Sequence, residues 1–152
     1  MLANRSQIGL DTTNIGLLKE LEADARLSLA ELGRRVGLSS PAVADRLERL
    51  EEAGVIRGYR AEIDPRALGW ALSVVIRIRP APRELAKVAE LARRNPEIVE
   101  CHRVTGEDCY IMKAHVRAVD DLEELIDRFA AYGQTTTSLV HSSPVPRRNV
   151  PL

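Results

Sequence analysis

The stretch SLAELGRRVGLSSPAVADRLERLEEAG, residues 28–54, decides how the first third of this chain folds. Ser28 is a good helix N-cap. The positions Leu29, Leu32, Gly33 and Val36 follow at i, i+3, i+4 and i+7, one face of a helix. Gly37 stands where a glycine ends a helix in the left-handed conformation. After Leu38, Ser39 offers a new N-cap and Ser40-Pro41 suits a first turn. A third helix then runs to about Ala53, with Val43, Leu47 and Leu50 inward, and Gly54 ends it. Upstream, Leu10-Asp11-Thr12-Thr13 provides an N-cap for a helix whose stripe is Leu17, Leu18 and Leu21.

Downstream the period changes. Residues 55–63 alternate loosely around Gly58, which suits a short hairpin or wing. Asp64-Pro65-Arg66-Ala67-Leu68-Gly69 is a turn, and the domain boundary is placed there, giving domains 1–64 and 65–152. Residues 70–78 read as a strand that Pro80-Ala81-Pro82 breaks. Residues 84–94 read as a helix with Leu85, Val88, Ala89 and Leu91/Ala92 on one face, stopped by Asn95-Pro96. Strands at 98–105 and 109–116 flank Gly106-Glu107-Asp108. A helix at 120–132 carries Leu122, Leu125, Ile126 and Phe129, and a last strand spans 135–143. The order β-α-β-β-α-β is the split βαβ, ferredoxin-like arrangement, so the chain is α+β. Residues 144–152 hold three prolines and read as a loosely ordered tail.

The chain has 152 residues, 45% of them hydrophobic but only 3% aromatic, so its cores rest on aliphatic side chains. Basic and acidic residues number 22 each. That balance excludes a globally basic nucleic-acid binder and confines any DNA contact to a local patch. No apolar run approaches the roughly 18–20 residues of a membrane helix. The N-terminal MLANRSQIGLD lacks an apolar signal region. Together with only two cysteines, Cys101 and Cys109, this points to free thiols in a cytoplasmic protein. The basic residues are 19 Arg against three Lys, read as composition bias.

Two short helices joined at residues 37–40, preceded by a helix and followed by a wing, have the spacing of a winged helix-turn-helix. The second helix of the pair enters the major groove in that motif. Here its outward face carries Ser40, Pro41, Ala44, Asp45, Glu48 and Arg49. Ser39, Ser40 and Arg49 donate to phosphates or bases, and small residues at the helix start permit close approach. Arg34 and Arg35 on one side, and Arg57 and Arg60 in the wing, are placed to meet phosphates. Residues 1–64 nevertheless hold nine basic and eleven acidic side chains. One copy is therefore expected to bind DNA weakly, and several copies acting together to bind it well. The alternative is a three-helix bundle with solvated arginines.

The ordered set Leu10-Asp11, Leu17-Leu18, Leu21, Ala25-Arg26-Leu27-Ser28, Glu31-Leu32, Val36-Gly37-Leu38-Ser39, Val43, Arg46-Leu47, Leu50-Glu51, Gly54-Val55-Ile56, Gly58-Tyr59 and Asp64-Pro65 closely resembles the Lrp/AsnC (feast/famine) regulator pattern. Val104-Thr105-Gly106 before a strand resembles the effector-loop signature of that family's C-terminal domain. The resemblance runs from about Leu10 to Ser143. It implies a transcriptional regulator, not an enzyme, that needs no cofactor and binds double-stranded DNA. It also implies dimers that assemble into tetramers or octamers, with a small effector, an amino acid, bound between dimers. The recognition helix then starts at Ser39-Ser40, and Arg46 joins the DNA-binding set. The effector loop is Thr105, Gly106, Glu107, Asp108 and Cys109, opposed by Gln134, Thr135, Thr136 and Thr137. Glu107 or Asp108 is expected to take an ammonium, and backbone N–H groups around Gly106 a carboxylate. Equally, Gly106 serves only a tight turn. The chain departs from the pattern at Asn14, often acidic in the family, and at Asp108-Cys109, often an aromatic then an aspartate.

Other chemistries rank lower. Cys101, His102, Cys109, His115 and His141 show no C-x-x-C or H-x-x-x-H spacing, so no metal site is expected and the cysteines read as buried structural residues. No base and orienting partner for a nucleophile are assignable. Asp120, Asp121, Glu123 and Glu124 complement a helix N-terminus. Arg147-Arg148 read as exposed charge. The rival from another class is a ligand-binding or architectural oligomer with little effector-dependent regulation.

Overall fold

The computed structural model describes residues 10–152; the N-terminal stretch read for a signal peptide falls almost wholly outside them. The chain divides into two compact units, one ending at Glu62 and taking in Arg147–Leu152, the other Ile63–Pro146. The first holds α1 (Thr12–Ala23), α2 (Leu29–Val36) and α3 (Ser40–Glu52). Each starts on a side-chain cap. Asp11 Oδ1 accepts the Asn14 N–H at 2.7 Å, Ser28 Oγ that of Glu31 at 3.2 Å, and Ser39 Oγ that of Ala42 at 3.4 Å. Leu17, Leu32, Val43, Leu47 and Leu50 form the core, with Leu18, Leu21, Val36 and Ile56 packed against it. Leu29, expected inward, is 41% exposed. It is the first residue of α2.

Two glycines set the α2–α3 turn for different reasons. Gly37 takes φ +74, a left-handed conformation that glycine adopts without cost. At Gly33 the constraint is space: a Cβ there would lie 2.3 Å from the Leu38 carbonyl oxygen.

The wing expectation is corrected. Residues 55–64 form no strand. Val55 and Ile56 donate to the Leu50 carbonyl at 2.9 and 3.1 Å, and the Tyr59 hydroxyl donates to Glu51 Oε1 at 2.8 Å. Val55, Ile56 and Tyr59 thus fold back onto the end of α3, and a lone hairpin without a third strand or a covering helix has little stability of its own.

The second unit contains a 3-10 turn (Arg66–Leu68), β1 (Leu72–Pro80), α4 (Leu85–Arg94), β2 (Ile98–Arg103), β3 (Tyr110–Val116), α5 (Val119–Ala130) and β4 (Gly133–Leu139). The sheet order is β2-β3-β1-β4, antiparallel at every junction. This is the expected ferredoxin-like βαββαβ domain. β1 lies two residues beyond the expected 70–78 at both ends, and Pro80, expected to break it, is tolerated as its last rung opposite Gly133, where no further N–H is needed. One sheet face, carrying Val74, Ile76, Ile78, Met112, Ala114 and Val116, packs with Val88, Ala92, Leu125 and Phe129 of the helices. The cysteine expectation is corrected in part: Cys101, on edge strand β2, is exposed, and Cys109 is half-buried against the core. No helix among the described residues is long and apolar enough to cross a membrane.

Candidate functional site

The helix-turn-helix presents α3 as expected. Val43, Leu47 and Leu50 are buried, whereas Ser39, Pro41, Asp45, Glu48 and Arg49 are exposed and Ser40 and Ala44 half-buried. The arginines around it are not idle. Arg49 pairs with Asp45 one turn back at 2.9 Å. Arg34 pairs with Glu31, and Arg35 with Glu31 at 2.8 Å and Glu20 at 2.6 Å. Such exposed pairs contribute about 0–1 kcal/mol and exchange readily for a phosphate. Arg57 lies exposed beyond α3.

Arg46 differs from these. Its Nη1 donates to Asp11 Oδ2 at 2.7 Å and to Asn14 Oδ1 at 2.9 Å, and Asn14 is buried. This guanidinium and the Asn14 N–H hold the Asp11 carboxyl below its ordinary range. Arg46 thus ties the middle of α3 to the start of α1 and faces away from the exposed stripe. At the other end of α3, burial, followed by the neighbouring Glu51 carboxylate, pushes the Tyr59 hydroxyl up to about 12.

In the second unit the loop between β2 and β3 closes where the Val104 N–H donates to the Cys109 carbonyl at 2.9 Å. Gly106 stands at φ +109 with open space where a side chain would project. Glu107 and Asp108 reach two side chains that the sequence reading passed over. Arg79 Nε donates to the Glu107 carbonyl oxygen at 3.0 Å, and its Nη2 lies 3.1 Å from the Glu107 carboxylate. Arg77 Nη1 lies 3.7 Å from Asp108 Oδ2. The signal was present in Val75-Ile76-Arg77-Ile78-Arg79, where two arginines alternate with buried isoleucines in one strand.

Strand parity sorts the expected opposing wall. Arg77 is paired with Thr136, and Arg79 with Gln134, so these four share the sheet face not covered by helices. Thr135 and Thr137 sit opposite Ile78 and Ile76 and share the helix-covered face, where the Thr137 hydroxyl is buried. A groove of about 510 Å³ between α4 and β2, lined by Ala92, Arg93, Val99, Cys101 and Arg103 among others, includes no residue of the 105–109 loop. On the open face the Ser73 hydroxyl and His115 Nδ1 are 2.8 Å apart, and burial lowers the His115 imidazole. Burial likewise pushes the Cys101 thiol up, against an opposing effect of Arg93.

Comparison with known proteins agrees with this architecture. The winged helix-turn-helix DNA-binding family matches residues 10–57, and the Lrp/AsnC ligand binding domain matches residues 73–150. The chain is 32% identical over 133 residues to the HTH-type transcriptional regulator LrpC of Bacillus subtilis, covering 88% of this chain and 92% of LrpC. The structure of LrpC superposes with TM-score 0.86 at 30% identity, over 91% of this chain and 99% of that one. A transcriptional regulator from Neisseria meningitidis in complex with L-Met gives TM-score 0.85 at 28% identity, over 93% and 96% of the two chains. The feast or famine regulatory protein of M. tuberculosis complexed with L-methionine gives 0.81 at 34% identity, over 93% and 99%. Two units in this order, each matched by its own family, show that the chain belongs to the Lrp/AsnC family of helix-turn-helix transcriptional regulators.

Proposed function

We propose that this chain is a sequence-specific regulator that binds double-stranded DNA and whose oligomeric state or DNA affinity responds to an amino-acid effector. Residues 1–64 bind DNA; residues 65–152 oligomerise the chain and hold the effector. The observation that carries the reading is α3 itself. Its inner face is buried, and its outer face offers small residues at the N-terminal end with Asp45 and Arg49 behind them. Ser39, Ser40, Pro41, Ala44, Asp45 and Arg49 form the groove-facing set, with Arg34, Arg35 and Arg57 on phosphates. Dimers place two such helices on half-sites about one helical turn apart, or a multiple of it, and assembly into tetramers or octamers engages several half-sites at once. The complexes of two relatives with L-methionine support an amino acid as effector. An effector shifts the assembly only by binding one form more tightly than another.

The test is a fluorescence-anisotropy titration against the DNA upstream of the chain's own gene, at several salt concentrations, with and without each amino acid. Tight binding that weakens with salt and shifts with one amino acid is the expected result. No specific binding at moderate salt removes the regulator reading. Binding with no effector response favours the architectural reading.

A further inference from the structure

We propose that the groove between α4 and β2 is a binding site for a small carboxylic acid that has a branched aliphatic or aryl body and no ammonium group. The inference does not rest on the effector reading above, because the groove includes no residue of the 105–109 loop.

Small residues make the groove. Positions 89 and 92 of α4 lie one turn apart on the face turned to β2, and both are alanines. The helix therefore leaves about 510 Å³ unfilled beside the edge strand, a size that suits a small ligand. Ile98 and the Tyr110 ring complete the floor. The Tyr110 hydroxyl is already committed to the Leu85 carbonyl oxygen at 3.2 Å, so the floor offers apolar contact.

The mouth is positively charged. Cys101 is paired with Met112 and Arg103 with Tyr110, so both β2 side chains lie on the helix-covered side of the sheet. Arg103 is exposed and has no carboxylate partner among the described residues. Across the groove, Arg93 shares one carboxylate with Arg94: Glu90 lies 3.1 Å from the first and 2.8 Å from the second. Glu100 also borders the groove, but it is paired with Lys113 on the other face, where its carboxylate lies 3.5 Å from His102 Nε2. Burial pushes the Cys101 thiol up, so it stays neutral and adds no anion. A ligand carboxylate answers this charge, and the uncommitted fork of Arg103 is suited to take both its oxygens. An ammonium would meet two guanidiniums and no spare carboxylate, which disfavours an amino acid here.

Cys101, on the groove wall, reports occupancy. The experiment is alkylation of the full chain by iodoacetamide, with Cys101 and Cys109 read separately by peptide mass spectrometry. The probes are isocaproate and hydrocinnamate, their neutral amides, and leucine and phenylalanine. Both acids are expected to slow alkylation of Cys101 and leave Cys109 unchanged. The amides and amino acids should need about 10- to 100-fold higher concentration for the same protection, the worth of one charge-assisted pair. Arg103→Gln should raise the half-protecting concentration of the acids by a similar factor, and Arg103→Lys by less. Ala89→Leu, which fills the groove and leaves its charges in place, should abolish protection, with circular dichroism verifying the fold of each variant. If the acids protect Cys101 no better than their amides, or Arg103→Gln is protected at the wild-type concentration, the inference fails. Protection of Cys109 in place of Cys101 moves the ligand to the 105–109 loop, which overturns the groove and leaves the effector reading standing.

Discussion

Replacing Gly33 by alanine tests whether the turn of the helix-turn-helix is set by close packing. Two effects oppose each other. Alanine is the better helix former, by about 1 kcal/mol in a helix interior. Its Cβ, however, would stand 2.3 Å from the Leu38 carbonyl oxygen and 3.3 Å from the Leu38 carbonyl carbon. Reaching even 3.0 Å requires a shift of about 0.7 Å in backbone that immediately precedes the Ser39 cap. The Gly33 carbonyl itself accepts the N–H groups of Gly37 and Leu38, the latter at 2.8 Å, so the same shift strains the end of α2. Forced displacement in a packed site costs about 1–3 kcal/mol, and a weakened hydrogen bond about 1 more. The balance is a loss of about 1–3 kcal/mol, or a fall of roughly 5–20 °C in Tm for a unit of this size. Thermal and urea unfolding followed by helical circular dichroism measures it. Gly37→Asn is the control. Its site is left-handed but open, and asparagine tolerates that conformation, so the loss should stay under about 1 kcal/mol. The variant also moves Ser39 and Ser40, so DNA affinity should fall at temperatures where it is fully folded. If Gly33→Ala is as stable as the wild type or more so, helix propensity dominates and the packing argument is refuted.

Arg46→Ala and Arg49→Ala should both weaken DNA binding, but differently. Arg49→Ala should reduce the slope of log affinity against log salt by about 1, as loss of a phosphate contact does, whereas Arg46→Ala should leave the slope unchanged because its partners are Asp11 and Asn14. An altered slope for Arg46→Ala places it on the DNA. The depressed Asp11 carboxyl contributes stability that is present above its unfolded value and lost as pH falls through its lower folded value. Acid titration of the unfolding free energy should therefore show a loss below about pH 4 that Asp11→Asn reduces; the same acid limb in the variant assigns that loss to other carboxylates. His115 is lowered by burial, so protonation disfavours the fold: stability should decline as pH falls through about 6.5, and His115→Gln should flatten that decline. Gly106→Trp should abolish the effector response, since it fills the open space at φ +109 with a side chain the backbone disfavours; a retained response moves the site away from the loop.

Features within one or two turns of chain were legible from residue order. The caps Asp11, Ser28 and Ser39 act on N–H groups three residues ahead, and Gly37 ends α2 by its own backbone freedom. The β-α-β-β-α-β order followed from periodicity, because each core stripe is local even when its partner is distant. Tertiary structure alone decided what depends on register and on partners far along the chain. Arg46 meets Asp11 across 35 residues, and Arg79 meets the Glu107 carbonyl across 28. Strand parity separated Gln134 and Thr136 from Thr135 and Thr137, and a one-residue slip reverses that division. Edge position left Cys101 exposed. Residues 55–64 alternate like a strand but form none among the described residues, and the backbone of Val55 and Ile56 pairs with the end of α3 instead. Local hydrogen bonds and periodic burial are written in neighbouring residues; ion pairs and sheet faces exist only once distant segments have been brought to a fixed distance.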